Sequence, residues 1–146
     1  MTKLSAATTI RAPRETVFSA FTEFESFARV FHQAIAIDFL SERHTGLGTE
    51  WEQATQEGNV QILGIHKIIS FDSPNTFTLT SDDRESFETM VFNFTQLDSE
   101  TLVSFELTIK AKRFFAKLLT GILKSQLYEY MQVDLARIKA HIESAQ

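Results

Sequence analysis

Hydrophobic positions change period along the chain, and each period predicts a different kind of element. Leu4–Arg11 alternates and reads as a strand. Pro13 then opens a helix, because its fixed φ and missing N–H suit a first turn, and Glu15 complements the positive end of the dipole. Val17, Phe18, Phe21 and Phe24 keep helical spacing. Thr22-Glu23-Phe24-Glu25 has the spacing of a capping box, which predicts a second short helix carrying Phe27, Val30 and Phe31.

After His32 the period falls to two. Ile35, Ile37 and Phe39 alternate with Ala36 and Asp38, and a turn-rich stretch, Ser41–Gly48, leads to a strand at Thr49–Gln56. Further strands are predicted at Val60–Phe71, Thr76–Thr80, Ser86–Leu97 and Thr101–Ile109, joined by short polar links. Links this short make neighbouring strands antiparallel, since parallel pairs need long crossovers. From Lys112 to Glu143 the period returns to 3.6, with an apolar stripe through Phe115, Leu118, Leu119, Ile122, Leu127, Met131, Leu135, Ile138 and Ile142. About 30 helical residues span about 45 Å, and only the sheet is broad enough to cover such a stripe. Gly121 is its weak point, about 1 kcal/mol worse than Ala in a helix interior. The order predicts an α+β fold: a curved antiparallel sheet of six to seven strands wrapped around a long C-terminal helix. Two short helices after the first strand close one end. Where the sheet bends away from the helix, a cavity is expected, lined by inward strand residues and one helix face.

Composition narrows the class. A chain of 146 residues without repeat or linker fits one domain over 1–146. Apolar residues at 43% and charged residues at 23% exclude disorder and membrane-spanning architecture. Fourteen Phe against two Tyr and one Trp give aromatic bulk without polar handles. Without cysteine there is no disulfide, thiol nucleophile or thiolate metal site. A net charge of −5 argues against nucleic acid as a partner. The start carries no apolar signal segment, so a cytoplasmic location is expected.

Four segments carry a resemblance. They are Ile10-Arg11-Ala12-Pro13-Arg14-Glu15-Thr16-Val17-Phe18, Thr45-Gly46-Leu47-Gly48-Thr49, Ile68-Ile69-Ser70-Phe71-Asp72-Ser73-Pro74 and Leu97-Asp98-Ser99-Glu100-Thr101-Leu102-Val103. In this order and spacing they resemble the scaffold motifs of the START-related, helix-grip superfamily (SRPBCC). That superfamily includes polyketide cyclase/dehydrase-like proteins and the birch-pollen allergen group. Glu100 replaces the glycine of the last motif. The resemblance covers nearly the whole chain and implies a ligand cavity more than a reaction, since the superfamily holds lipid carriers, hormone receptors, cyclases and chaperone activators.

The search for chemistry is mostly negative. No metal-ligand spacing, nucleophile elbow or phosphate loop is present, so no catalytic residue, metal or cofactor is expected. His66 shares a strand face with Val60, Ile62 and Ile68. On a cavity wall its imidazole would orient a polar ligand group or act as a base; otherwise it is structural. His32 would rim the entrance, and His44 and His141 read as solvent residues. Asp82, Asp83, Glu85 and Glu88 read as a solvated turn and edge. Residues 110–124 hold Lys110, Lys112, Arg113, Lys117 and Lys124 with no acid. This stretch resembles a basic amphipathic membrane-surface helix, which allows peripheral membrane contact; its alternative is a core-facing helix with snorkelling lysines. The expected function is non-catalytic binding or transport of a hydrophobic small molecule: a lipid, polyketide or aromatic compound. The candidate ligand residues are Phe21, Phe31, Trp51, Ile62, His66 and Phe92, followed by Phe94, Phe105, Leu107, Leu119, Ile122 and Met131. The alternatives are a polyketide cyclase or aromatase-like enzyme and a protein-interaction module of the chaperone-activator type.

Overall fold

A computed structural model describes residues 1–112 and 121–146, with side chains in the last helix from Lys124 onward. The elements are β1 (Thr2–Ile10), α1 (Arg14–Thr22), α2 (Phe24–Val30), β2 (Ala36–Phe39), β3 (Glu50–Glu57) and β4 (Val60–Asp72). They continue with β5 (Thr76–Asp83), β6 (Ser86–Leu97), β7 (Glu100–Ala111) and α3 (Gly121–Ser144). The strands form one sheet in the order β1-β7-β6-β5-β4-β3-β2, with every neighbouring pair antiparallel. This is the α+β helix-grip arrangement expected from the period changes, with seven strands because β1 pairs along its length with β7.

Local chemistry explains two motifs. Gly46 and Gly48 both have positive φ, +92° and +86°, where a side chain is strained, and the Thr49 hydroxyl donates to the Gly46 carbonyl at 2.8 Å. In the β6–β7 hairpin the positive φ falls on Asp98 rather than on residue 100, so Glu100 starts its strand without a glycine. Two local expectations need correction. Pro13 sits just before α1, and its carbonyl accepts the Val17 N–H at 3.0 Å. The capping box is not formed: Thr22 is the last residue of α1, and its hydroxyl donates to the Phe18 carbonyl four residues back.

The core lies under α1 and α2. Phe18, Phe21, Phe27 and Phe31 meet Phe77, Phe92, Phe94 and Phe105 of the sheet, as in the Phe21–Phe94 pair at 5.1 Å and the Phe31–Phe105 pair at 5.5 Å. Edge-to-face packing of this kind adds about 0.5–1.5 kcal/mol per pair beyond burial. Helix α3 covers the β1 side of the sheet through Met131, Leu135, Ile138 and Ile142, all buried at alternating four- and three-residue spacing. Three polar contacts fix its position. The Arg137 guanidinium donates to the Phe31 carbonyl at 2.9 Å, Lys139 donates to the Thr9 carbonyl, and Glu143 accepts the Arg11 N–H at 2.8 Å. On the flank of α3, Tyr130 and Val133 are exposed and border open space. None of the described helices is long and apolar enough to cross a membrane.

Candidate functional site

The inward face of the sheet is graded from one end to the other. Under α1 and α2 the cross-strand row is Phe77, Phe92, Phe105 and Ala6, followed by Ile68, Leu79, Met90, Leu107 and Leu4. The next row changes character: Phe39, Trp51, His66, Ser81, Glu88 and Ile109 stand side by side from β2 to β7. Beyond it lie Ile37, Gln53, Gly64 and Asp83. Directly opposed residues have Cβ atoms about 4.5–5.5 Å apart, so His66, Ser81 and Glu88 form a contiguous polar band.

A cavity of about 980 Å³ opens over this band, between the strands and the flank of α3. That volume is at the upper end of the range for small-molecule sites. Its apolar wall includes Ile62, Met90, Ile109, Leu127 and Val133. Its polar wall includes His32, Gln53, His66, Ser81 and Glu88, with Glu57, Asp83 and Glu85 nearby.

The two histidines are held in a small network. Trp51 stacks on His66 with ring centroids 5.4 Å apart and on Phe24 at 5.1 Å. Its indole N–H donates to Gln53 Oε1 at 3.1 Å, and the same oxygen lies 3.4 Å from His32 Nδ1. The His32 and His66 rings are 5.5 Å apart. Burial lowers the His66 pKa to about 3, helped by the charge His32 would carry, and lowers the His32 pKa to about 4 against the opposing bond from Gln53. Both rings are therefore neutral at pH 7. His66 is only 5% exposed, and its buried Nδ1 has no hydrogen-bond partner among the described residues. Such an orphan costs about 1–3 kcal/mol. The ring as a whole borders the cavity, with Nδ1 itself sealed from solvent.

Glu88 corrects the sequence reading of a solvated acidic edge. It shares the inward face of β6 with Met90, Phe92 and Phe94, because strand parity outweighs the acidic neighbours in sequence. Burial, then the charges of Asp83, Glu57 and Glu85, push its pKa up to about 7. On the helix side, Asp134 is also raised by burial and is held by Arg137 at 2.9 Å. No group of three His, Asp or Glu side chains converges to hold a metal ion among the described residues.

The model of the family described as "Activator of Hsp90 ATPase homolog 1-like protein" matches residues 11–140. The chain belongs to this family. Solved structures place the family member among START-type, helix-grip folds. It is similar to the protein TTHA0849 from Thermus thermophilus (TM-score 0.82, 16% identity, 99% of each chain). It is also similar to a START superfamily protein from Mycobacterium smegmatis (TM-score 0.80, 13% identity, 99% of each chain). A third similar structure is the major latex-like protein 151 of Panax ginseng (TM-score 0.73, 11% identity, 96% of each chain). At these identities the likeness is one of fold. A sequence comparison with curated proteins gives no match.

Within this Hsp90-activator-like domain the candidate ligand residues divide. Ile62 and His66 lie on the cavity wall. Phe21, Phe31, Phe92, Phe94, Phe105, Leu107 and Met131 are buried in the closed core, and Trp51 is buried behind His66. Leu119 and the side chain of Ile122 lie outside the described residues, as does most of the basic stretch 110–124. Trp51 points inward and stacks on Phe24 of α2. His32 borders the cavity, whereas His44 is exposed and stacks on Phe39 at 3.8 Å. Gln53, Ser81 and Glu88 belong to the site and were not singled out from sequence as ligand residues. Period-two counting from Trp51, Leu79 and Met90 would have put each of them on the inward face.

Proposed function

We propose that this protein binds an apolar small molecule with a polar end, without transforming it, in the cavity between the sheet and α3. The observation that carries this reading is a cavity of about 980 Å³ that joins an apolar wall to the polar band of His66, Ser81 and Glu88. The apolar side chains Ile62, Met90, Ile109, Leu127 and Val133 suit the body of such a ligand, and the His66–Ser81–Glu88 band suits its polar end. Non-catalytic binding is favoured because no hydrogen-bonded nucleophile–base pair occurs among the described residues around the cavity. Native mass spectrometry of the purified protein should reveal a co-purifying compound of small mass. Met90→Trp, which fills the cavity from its apolar wall, should eliminate it. A cavity that neither retains a compound nor binds any member of an apolar panel by calorimetry would refute the reading.

The family description refers to activation of the Hsp90 ATPase, which gives a second reading as a protein-interaction module. It predicts faster ATP hydrolysis by Hsp90 on adding this protein, with the same stimulation by the Met90→Trp variant.

A further inference from the structure

We propose that the cavity selects an apolar ligand bearing a protonated amine, whose ammonium donates to the Glu88 carboxylate and to the Ser81 hydroxyl beside it. The inference deepens the ligand-binding reading and rests on it. An ammonium group has three donors and no acceptor, and Ser81 and Glu88, paired across β5 and β6, offer acceptors side by side. His66, paired with Ser81 on the next strand, is neutral and adds no repulsion to a cation.

Charge favours the same ligand. Glu57, Asp83, Glu85 and Glu88 border the cavity from β3, β5, the β5–β6 turn and β6, and Asp134 borders it from α3. Arg137 is the one cation among the described lining residues, and it is already bonded to Asp134 and the Phe31 carbonyl. Lys112, at the start of the basic stretch, bonds Asp82 at 2.6 Å and the Asp83 carbonyl, outside the polar band. His32 and His66 add no charge at pH 7. From β7 the band faces Ile109 and Ala111, which are uncharged. An anionic head would meet carboxylates here, while an ammonium replaces their mutual repulsion with attraction. The same attraction would draw the Glu88 proton off, since its carboxyl titrates near 7 in the empty cavity.

The test is calorimetry with three probes of one ring system: naphthylmethylamine, naphthalenemethanol and naphthoate. The amine should bind at least about tenfold more tightly than the alcohol, the ratio expected for a charge-assisted hydrogen bond over a neutral one. Naphthoate should bind most weakly. Glu88→Gln should lower the amine-to-alcohol ratio several-fold, leaving only the weaker pull of the surrounding carboxylates. The wild-type protein gives an independent arm: amine affinity should rise about tenfold between pH 6 and 8 as Glu88 ionises, while alcohol affinity stays flat. Equal binding of amine and alcohol, or preference for naphthoate, would overturn the inference and leave the ligand-binding reading standing. Binding of none of the three by protein that melts cooperatively would overturn both.

Discussion

Lowering the pH from 7 to 5 should destabilise this protein through its buried imidazoles. The unfolded chain protonates its histidines near 6.5, whereas native His66 and His32 resist protonation down to about 3 and 4. Between these limits the unfolded state binds more protons, so stability is fully present above 6.5 and falls with falling pH. At pH 5 each histidine has cost about 2 kcal/mol, or about 4 together. Glu88 acts in the opposite sense. Its pKa rises from 4.5 to about 7 on folding, so the native state binds the extra proton and acid restores about 2 kcal/mol. Glu85 and Asp134 shift in the same direction as Glu88, and Glu143 in the opposite one. The loss from His32, His66 and Glu88 together should be about 2 kcal/mol between pH 7 and 5, read as a fall in the urea midpoint at constant m. Glu88→Gln should deepen the loss to about 4 kcal/mol, and His66→Phe should remove roughly half of the histidine part. His66→Phe should also gain about 1 kcal/mol at pH 7, because the orphaned Nδ1 goes with the ring. A Glu88→Gln protein whose stability stays flat or rises toward pH 5 would refute the assignment of buried neutral imidazoles.

Three further outcomes are expected. Leu135→Ala should cost about 3–4 kcal/mol in a urea melt, since Leu135 is fully buried where α3 covers the sheet; a loss under about 1 kcal/mol would show the helix is not clamped there. Gln53→Leu should lower stability by about 1–3 kcal/mol at pH 7, because it strips the acceptor from the buried indole N–H of Trp51; an unchanged midpoint would show that this bond contributes nothing. If stretch 110–124 contacts membranes, adsorption to anionic vesicles should fall as salt rises, and equal adsorption to neutral vesicles would refute a charge-driven contact.

The meander was legible because two signals agreed in every hairpin: period-two alternation and links too short for a crossover. Val60–Phe71 was placed within a residue of β4, and its inward parity put Ile62, His66 and Ile68 on one face. The helix pair was legible from the Phe spacing, although Thr22 was assigned to the wrong helix because its hydroxyl had a local alternative in the Phe18 carbonyl. The cavity wall was much less legible. Phe92 and Glu88 obey the same parity on the same strand, yet Phe92 is sealed under α2 and Glu88 borders open space. The difference lies in where α1, α2 and α3 cross the sheet, which no single strand encodes. Aromatic side chains therefore drew attention as ligand residues, although large apolar side chains on the inward face are the ones the short helices close over.

That closure explains how a marginal polar band survives on an otherwise apolar face. Stacked and edge-on rings around Phe21, Phe27, Phe77 and Phe92 give the sheet a rigid end that needs nothing from the cavity. Trp51 is the hinge between the two regimes: Phe24 stacks on one side of it and His66 on another. Its N–H and the His32 ring share one Gln53 oxygen, so a single amide serves two rings, one buried and one half-buried. His66 is left out of that arrangement, packed as firmly as a core residue but missing a bond. Packing that holds a ring in place while leaving its nitrogen unpaired raises the energy of the empty site and leaves the site ordered for a ligand. Phe at position 66 would remove the orphan at a gain in stability, so the ring that borders the cavity is held there at an energetic cost.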